Sequence, residues 1–151
     1  FDEAVKQAEA GMKLHADLDG DGQFLAAYLL KGDALVAAKK TADAITMYQD
    51  MLKLKIARED LLVEIELHIA GAHARNNEPA KAAEVLAAAL EKYTKMPMYQ
   101  KPGVCFQAAE YYFQSGNKDK AREYCQKVLD LPDVPEWATK EADGRMKRYE
   151  K

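Results

Sequence analysis

Four alanines at nearly constant spacing constrain the fold of this 151-residue chain more than any other feature. Ala4, Ala44, Ala82 and Ala121 lie in similar short segments, and the steps between them are 40, 38 and 39 residues. A period of this length along a whole chain indicates a repeat architecture, in which similar units stack on one another. We therefore expect repeated supersecondary units rather than one irregular bundle.

A second small residue precedes three of these alanines at the same interval. Gly32, Ala70 and Ala109 each stand twelve positions before the alanine of their unit, with a turn signal in between. The flanking segments are rich in Ala, Leu, Lys, Glu, Gln and Met, and their apolar residues recur at intervals of three and four, as in α-helices. Each unit is therefore predicted to be an antiparallel helix hairpin whose two small residues face each other.

The units resemble the tetratricopeptide repeat, whose pattern is an aromatic residue, Leu-Gly, Tyr and, after a turn, Ala with an aromatic residue four positions later. The third unit is the most similar and reads Cys105-x2-Ala108-Ala109-x2-Tyr112, Gly116 and Ala121-x3-Cys125. The first reads Tyr28-x2-Lys31-Gly32-x2-Leu35 and Ala44-x3-Tyr48; the second reads Glu66-x2-Ile69-Ala70-x2-His73 and Ala82-x3-Leu86. The chain departs from the pattern at Glu66 and Cys105, which replace the first aromatic residue, and in its longer period.

This resemblance implies an all-α fold of the tetratricopeptide type, an α-solenoid in which antiparallel helix hairpins form a right-handed superhelix. It covers nearly the whole chain, so we expect a single domain over residues 1–151. Its parts would be the second helix of a truncated repeat at 1–14, repeat 1 at 23–54, repeat 2 at 62–93, repeat 3 at 103–131 and a capping helix at 136–151.

The charge balance argues against nucleic acid as a partner, and the apolar pattern argues against membrane insertion. The formal net charge is −3 and the sequence pI is about 5.7, whereas nucleic-acid-binding domains carry a basic excess. The longest apolar run extends from Phe24 to Leu30, which is too short to span a bilayer. Neither nucleic acid nor membrane insertion is therefore expected, and the resemblance implies a protein or peptide partner instead.

The segment DLDGDGQF, residues 17–24, begins like an EF-hand calcium loop. Asp17, Asp19 and Asp21 stand at ligand positions one, three and five, and Gly22 follows at the sharp turn. Position twelve is Tyr28, which cannot chelate, where a working loop has a bidentate Glu. The segment is therefore a candidate for a weak calcium site or, alternatively, a polar turn between repeats. No other cofactor is expected.

In tetratricopeptide proteins, the first helix of each unit lines a concave groove that binds partner segments. The resemblance therefore implies a non-catalytic protein-interaction module with a scaffold or adaptor role, and no catalytic set of residues is recognisable in the sequence. The groove-facing residues would be Leu29, Asp33, Val36, Glu64, Leu67, Arg75, Phe106, Glu110, Phe113 and Gln114. Some of these are alternatively expected to pack against the next hairpin.

Apolar residues flanked by acids in this groove favour an amphipathic partner segment with apolar anchors and basic residues. Chaperone-binding members hold a C-terminal carboxylate with Lys, Asn and Arg. The matching positions here are Leu29, Asp33, His68, Gly103 and Gln107. The C-terminal tails of Hsp70 and Hsp90 are therefore not expected to bind. The alternative function is a structural spacer or self-assembly unit within a larger repeat protein or complex.

Cys105 and Cys125 are predicted to face each other across the third hairpin, because each lies four residues outside the pair Ala109 and Ala121. Two interpretations follow from this register. The cysteines form a disulfide, which would imply an oxidising compartment. Alternatively, they are two buried thiols that pack as small apolar residues.

Overall fold

A computed structural model of the chain describes residues 23–54 and 56–151, together with Lys6 and Ala10, which both have helical conformation. In the two described ranges the chain forms seven α-helices and no strand, so the predicted all-α class is confirmed. The helices are α1 (Gln23–Ala37), α2 (Thr41–Leu52), α3 (Glu59–Arg75), α4 (Pro79–Lys92), α5 (Lys101–Gln114), α6 (Lys118–Leu129) and α7 (Glu136–Glu150).

Two predicted features fall mainly or wholly outside the described residues. Of the expected N-terminal helix 1–14, only Lys6 and Ala10 are described. The calcium-loop candidate with Asp17, Asp19 and Asp21 lies outside them altogether. None of the helices in the described part of the chain has both the length and the apolar character that crossing a bilayer requires.

The first helix of each hairpin ends in the same kind of turn. Lys39, Asn77 and Gly116 stand two residues beyond the ends of α1, α3 and α5, and their φ angles are 62°, 61° and 86°. In the first hairpin the Lys40 amide donates to the Leu35 carbonyl at 2.8 Å, and in the third the Asn117 amide donates to the Tyr112 carbonyl at 2.9 Å. These bonds close a left-handed helix cap of the Schellman type, so the repeat is present in the backbone as well as in the sequence.

The chain divides into two compact units, Phe1–Asn76 and Asn77–Lys151. In the first unit, α1 packs on α2, α2 packs on α3, and α1 also contacts α3. Its core is built around the fully buried side chains of Tyr48, Val63 and Ile65. These residues come from α2 and α3, and they hold the first helices of two successive repeats side by side.

The second unit contains α4 to α7, and each helix packs on the next one in the chain. Leu86, Val104, Val128 and Tyr149 contribute one fully or almost fully buried side chain from each of the four helices. This consecutive packing is that of an α-solenoid, as the resemblance predicted. Because each helix packs mainly on its neighbours in the sequence, the core of this unit is built mostly from contacts between consecutive helices.

Candidate functional site

An open cavity of about 220 Å³ lies between α1 and α3 in the first unit. Both are the first helices of their predicted repeats, the helices expected to line the groove. The cavity is lined by Asp33, Val36, Leu67, His68, Gly71, Ala72 and Arg75. It therefore combines aliphatic surface with a carboxylate, an imidazole and a guanidinium.

The Asp33 carboxylate is held in a fixed orientation by two neighbours. Its Oδ1 accepts a hydrogen bond from the Tyr48 hydroxyl at 2.8 Å, and it lies 2.8 Å from Nδ1 of His68. The Tyr48 side chain is fully buried, whereas half of the Asp33 side-chain surface is exposed. Burial raises the pKa of Tyr48 above its ordinary value, and the bond to Asp33 raises it further, so the phenol remains a hydrogen-bond donor. Asp33 is thus a preoriented acceptor that faces the cavity.

His68 connects this carboxylate to a second one on α3. Its Nε2 lies 3.8 Å from Oε1 of Glu64, and its ring packs against the ring of Tyr48 with the centroids 5.6 Å apart. Glu64 stands one helical turn before His68, and about half of its side-chain surface is exposed. The two acids therefore flank the imidazole on the side of the cavity away from the end of α3.

Arg75 supplies positive charge at the other side of the cavity. It is the last residue of α3 and is exposed. Among the residues that the structure describes, no carboxylate forms an ion pair with it. It lines the same cavity as Asp33, and its charge lowers the pKa of Tyr48, although burial and Asp33 outweigh this effect. The cavity is therefore bipolar, with carboxylates on one side and a guanidinium on the other.

Gly71 leaves the floor of the cavity open. It lies in the interior of α3, and a Cβ atom built on it would meet no neighbouring atom of the described residues within 4 Å. A glycine in a helix interior is less favourable than alanine by about 1 kcal/mol. Within the described ranges, no packing requirement accounts for this cost.

The predicted groove residues of repeats 1 and 2 fall in different places around this cavity. Asp33, Val36, Leu67 and Arg75 line it directly. Glu64 lies at its edge beside His68, and Leu29 is buried with only 8% of its surface exposed. The predicted groove set did not include Tyr48, and the sequence named His68 only as a position that matches the carboxylate clamp of chaperone-binding members.

In the second unit, two of the predicted groove residues are covered by α7. The ring of Phe106 lies 6.4 Å from Trp137, and the Arg145 guanidinium stands 5.2 Å above it. The ring of Phe113 lies 4.7 Å from the ring of Tyr149. Phe106 and Phe113 therefore pack on α7, which is the alternative that the sequence left open for some groove positions.

Glu110, between these two aromatic residues, is the anionic anchor for α7. Its Oε2 accepts from Arg145 at 3.2 Å and from the Tyr149 hydroxyl at 3.2 Å, and it forms an ion pair with Arg148. Gln114, one turn further along α5, remains exposed. The docking of α7 on α5 could have been predicted from the sequence, because the aromatic and basic residues of α7 complement the aromatic–acid–aromatic face of α5.

A second cavity of about 290 Å³ lies among α4, α5 and α6. Cys105 contributes to its wall, together with Leu90 and Leu131 and the charged residues Glu91, Lys101, Lys127 and Asp130. Both cysteines are free and buried, and burial raises the pKa of each thiol to about 11. Cys105 also raises the pKa of Cys125, although less than burial does. Neither thiol is poised as a nucleophile at neutral pH.

In the described part of the chain, no group of three or more His, Cys, Asp and Glu residues is placed to share a metal ion. His68 lies at hydrogen-bond distance from Asp33 and 3.8 Å from Glu64. The calcium-loop candidate lies outside the described residues and stays a prediction.

Comparison with known proteins identifies one stretch of the chain. The tetratricopeptide repeat family model matches residues 102–133, which contain α5, α6 and the turn between them. No curated protein matches the chain. The match coincides with the hairpin whose sequence follows the repeat pattern most fully. Residues 102–133 therefore match the tetratricopeptide repeat, and the helices of the described ranges form a repeat-like, all-α arrangement.

Proposed function

We propose that this protein is a non-catalytic interaction module that binds a segment of a partner protein in the cavity between α1 and α3. Tetratricopeptide repeats generally act in protein–protein interaction and scaffolding, and they are generally not catalytic. The observation that carries the proposal is the open cavity itself, which lies between the first helices of two successive hairpins. These are the helices that line the binding groove in repeat proteins of this kind.

The lining of the cavity supports a peptide ligand with apolar anchors and basic residues. Val36 and Leu67 provide aliphatic surface for an apolar side chain or for the stem of a long basic one. Asp33 and Glu64 provide exposed carboxylates beside that surface. A small apolar cavity with a few oriented polar groups is the usual composition of a specific binding site.

The second unit offers less aromatic surface for partner binding than the sequence predicted. Phe106 and Phe113 contact α7 and therefore have less surface to offer a partner. A charge placed at Phe113 would disturb the docking of α7, so a loss of binding in such a variant would not identify the groove. Substitutions in the first unit give a more direct test.

The experiment is selection of a displayed library of random twelve-residue peptides on the immobilised chain. The blocking variant is Gly71→Leu, whose side chain would occupy the cavity without meeting a neighbour at its Cβ. The matched control is Gly144→Leu on α7, because Gly144 is also a helix-interior glycine with open space around it. We expect enriched peptides to bind the wild type and Gly144→Leu alike and to lose binding to Gly71→Leu.

Peptides that bind Gly71→Leu as tightly as the wild type would contradict binding in this cavity. If no peptide is enriched and sedimentation shows that the size of the protein depends on concentration, the alternative function as a self-assembly unit would be supported instead. Circular dichroism of both variants checks that the helices are intact.

A further inference from the structure

The cavity of the first unit carries two opposite charges on separate sides, and this arrangement constrains its ligand beyond a general preference for basic segments. Asp33 has a side chain that is half exposed, and its Oδ1 already receives the Tyr48 hydroxyl and faces His68. Both of these interactions use Oδ1, so among the described residues Oδ2 is left as the acceptor for an incoming cation. The orientation of this carboxylate costs the ligand nothing, because buried Tyr48 fixes it in advance.

Arg75 presents the complementary half of the site. It lines the same cavity, and no described carboxylate neutralises it. His68 and Arg75 are seven residues apart on α3, which corresponds to about 10 Å along the helix axis. Because Asp33 lies beside His68, the acidic and basic groups of the cavity are separated by roughly this distance along α3. A purely basic ligand would meet attraction at one side and repulsion at the other.

Gly71 stands between the two charges, one turn after His68 and one turn before Arg75. The absence of a side chain there leaves room for the ligand backbone to cross α3. We propose that the cavity binds a bipolar segment, with one basic side chain at Asp33 and one acidic side chain at Arg75, whose backbone passes over Gly71. This inference rests on the proposed function and specifies the partner chemistry of the same cavity.

An extended peptide satisfies this geometry over a very short length. Residues i and i+2 of an extended chain project to the same side and are about 6.7 Å apart, and an arginine side chain reaches several ångströms further. A basic residue and an acidic residue with one residue between them therefore span the cavity. Val36 and Leu67 lie in position to cover the aliphatic stem of the basic side chain.

The test is a double-mutant cycle with defined tripeptides rather than with an unidentified partner. The probes are acetyl-arginyl-glycyl-glutamyl amide and two analogues, one with citrulline for arginine and one with glutamine for glutamate. Each analogue removes one charge and preserves the shape. Binding is followed by NMR through the amide signals of Val36, Leu67 and Gly71. We expect the bipolar peptide to bind most tightly and each neutral replacement to weaken binding about two- to fivefold.

The protein variants complete the cycle. In Asp33→Asn, which keeps the hydrogen-bond acceptor for Tyr48, the citrulline replacement should no longer matter. In Arg75→Gln, the glutamine replacement should no longer matter. Asp43→Asn is the matched control, because Asp43 is an exposed acid on α2 that does not line the cavity, and it should leave both effects unchanged. Gly71→Ala should keep or raise the unfolding midpoint while weakening all three peptides.

Equal affinity for the three peptides, or charge effects that persist in Asp33→Asn and Arg75→Gln, would overturn the bipolar site. If the peptide library still yields ligands that Gly71→Leu rejects, the proposed function stands and only this inference fails. If the library yields none and the tripeptides cause no shifts at the cavity amides, the inference and the proposed function fail together.

Discussion

The ring of Tyr48 fills the space beside Gly32, so closely that a Cβ atom on Gly32 would lie less than 3.0 Å from the ring. The sequence interval had paired Gly32 with Ala44, whereas the structure uses the space at Gly32 for the aromatic residue one turn further along α2. The same ring then places its hydroxyl on Asp33 at 2.8 Å. The close packing of the first hairpin and the orientation of the cavity carboxylate therefore depend on one side chain.

Gly32→Ala should destabilise the first unit, because the added methyl group collides with a fully buried ring that has no free space to enter. Overpacking of this kind costs about 1–3 kcal/mol in the free energy of unfolding. Gly71→Ala is the control and should be neutral or stabilise by up to about 1 kcal/mol, because its Cβ meets no atom of the described residues. Urea denaturation followed by circular dichroism measures both. Equal effects of the two substitutions would contradict the role of Tyr48.

Tyr48→Phe should make stability less sensitive to alkaline pH. The folded protein holds the pKa of Tyr48 above the ordinary value of 10.0, through burial first and the bond to Asp33 second. Its contribution is fully present below pH 10, where the phenol is protonated in both states. The contribution is lost as pH rises above that value, because the unfolded chain then releases a proton that the native chain retains.

The measurement compares thermal unfolding of wild type and Tyr48→Phe from pH 8 to about pH 11. We expect a shallower decline in the variant, with some decline remaining because the pKa values of Tyr124 and Tyr149 are also raised by burial. Parallel declines in the two proteins would show that Tyr48 does not contribute.

Glu110→Gln should loosen α7 from α5. The carboxylate accepts from two arginines and from the hydroxyl of Tyr149, and only 25% of its side-chain surface is exposed. Loss of its charge should lower the free energy of unfolding by about 1–2 kcal/mol. Trp137 is the single tryptophan of the chain and packs against Phe106, so its fluorescence reports on this helix.

We expect a red shift of Trp137 emission at lower urea concentration in Glu110→Gln than in the wild type. Glu84→Gln is the control, since Glu84 is an exposed acid on α4 of the same unit. An identical unfolding midpoint in wild type and Glu110→Gln would contradict the anchoring role of Glu110.

Cys105 and Cys125 should resist alkylation in the folded protein. Both side chains are buried, and their thiol pKa values are raised to about 11, so the thiolate fraction at pH 8 is below about one per cent. Mass spectrometry after iodoacetamide treatment should therefore find no label in buffer and two labels in urea without reductant. If urea alone gives no label but urea with reductant gives two, the cysteines form the disulfide that the hairpin register also permits.

The sequence by itself determined the helical class, the hairpins and the residues that lie on the first helix of each hairpin. These properties are local, because apolar spacing sets the buried face of a helix and glycine, proline and asparagine set its ends. Lys39 and Asn77 share the left-handed turn of Gly116, and their regular positions follow the alanine period. The family pattern was strongest at the hairpin that the family model matches.

The tertiary structure alone decided which groove residues are open. Asp33, Val36, Leu67 and Arg75 meet at a cavity, whereas Phe106 and Phe113 lie against α7. Periodicity gives the face of a helix on which a residue stands, but it does not give the element that the face contacts. That choice depends on the turns between helices and on contacts between residues distant in sequence, such as Asp33 with His68 and Glu110 with Arg148. Tyr48 could not be assigned to the site from the sequence, because only the packing of α2 against α1 brings its hydroxyl to the Asp33 carboxylate.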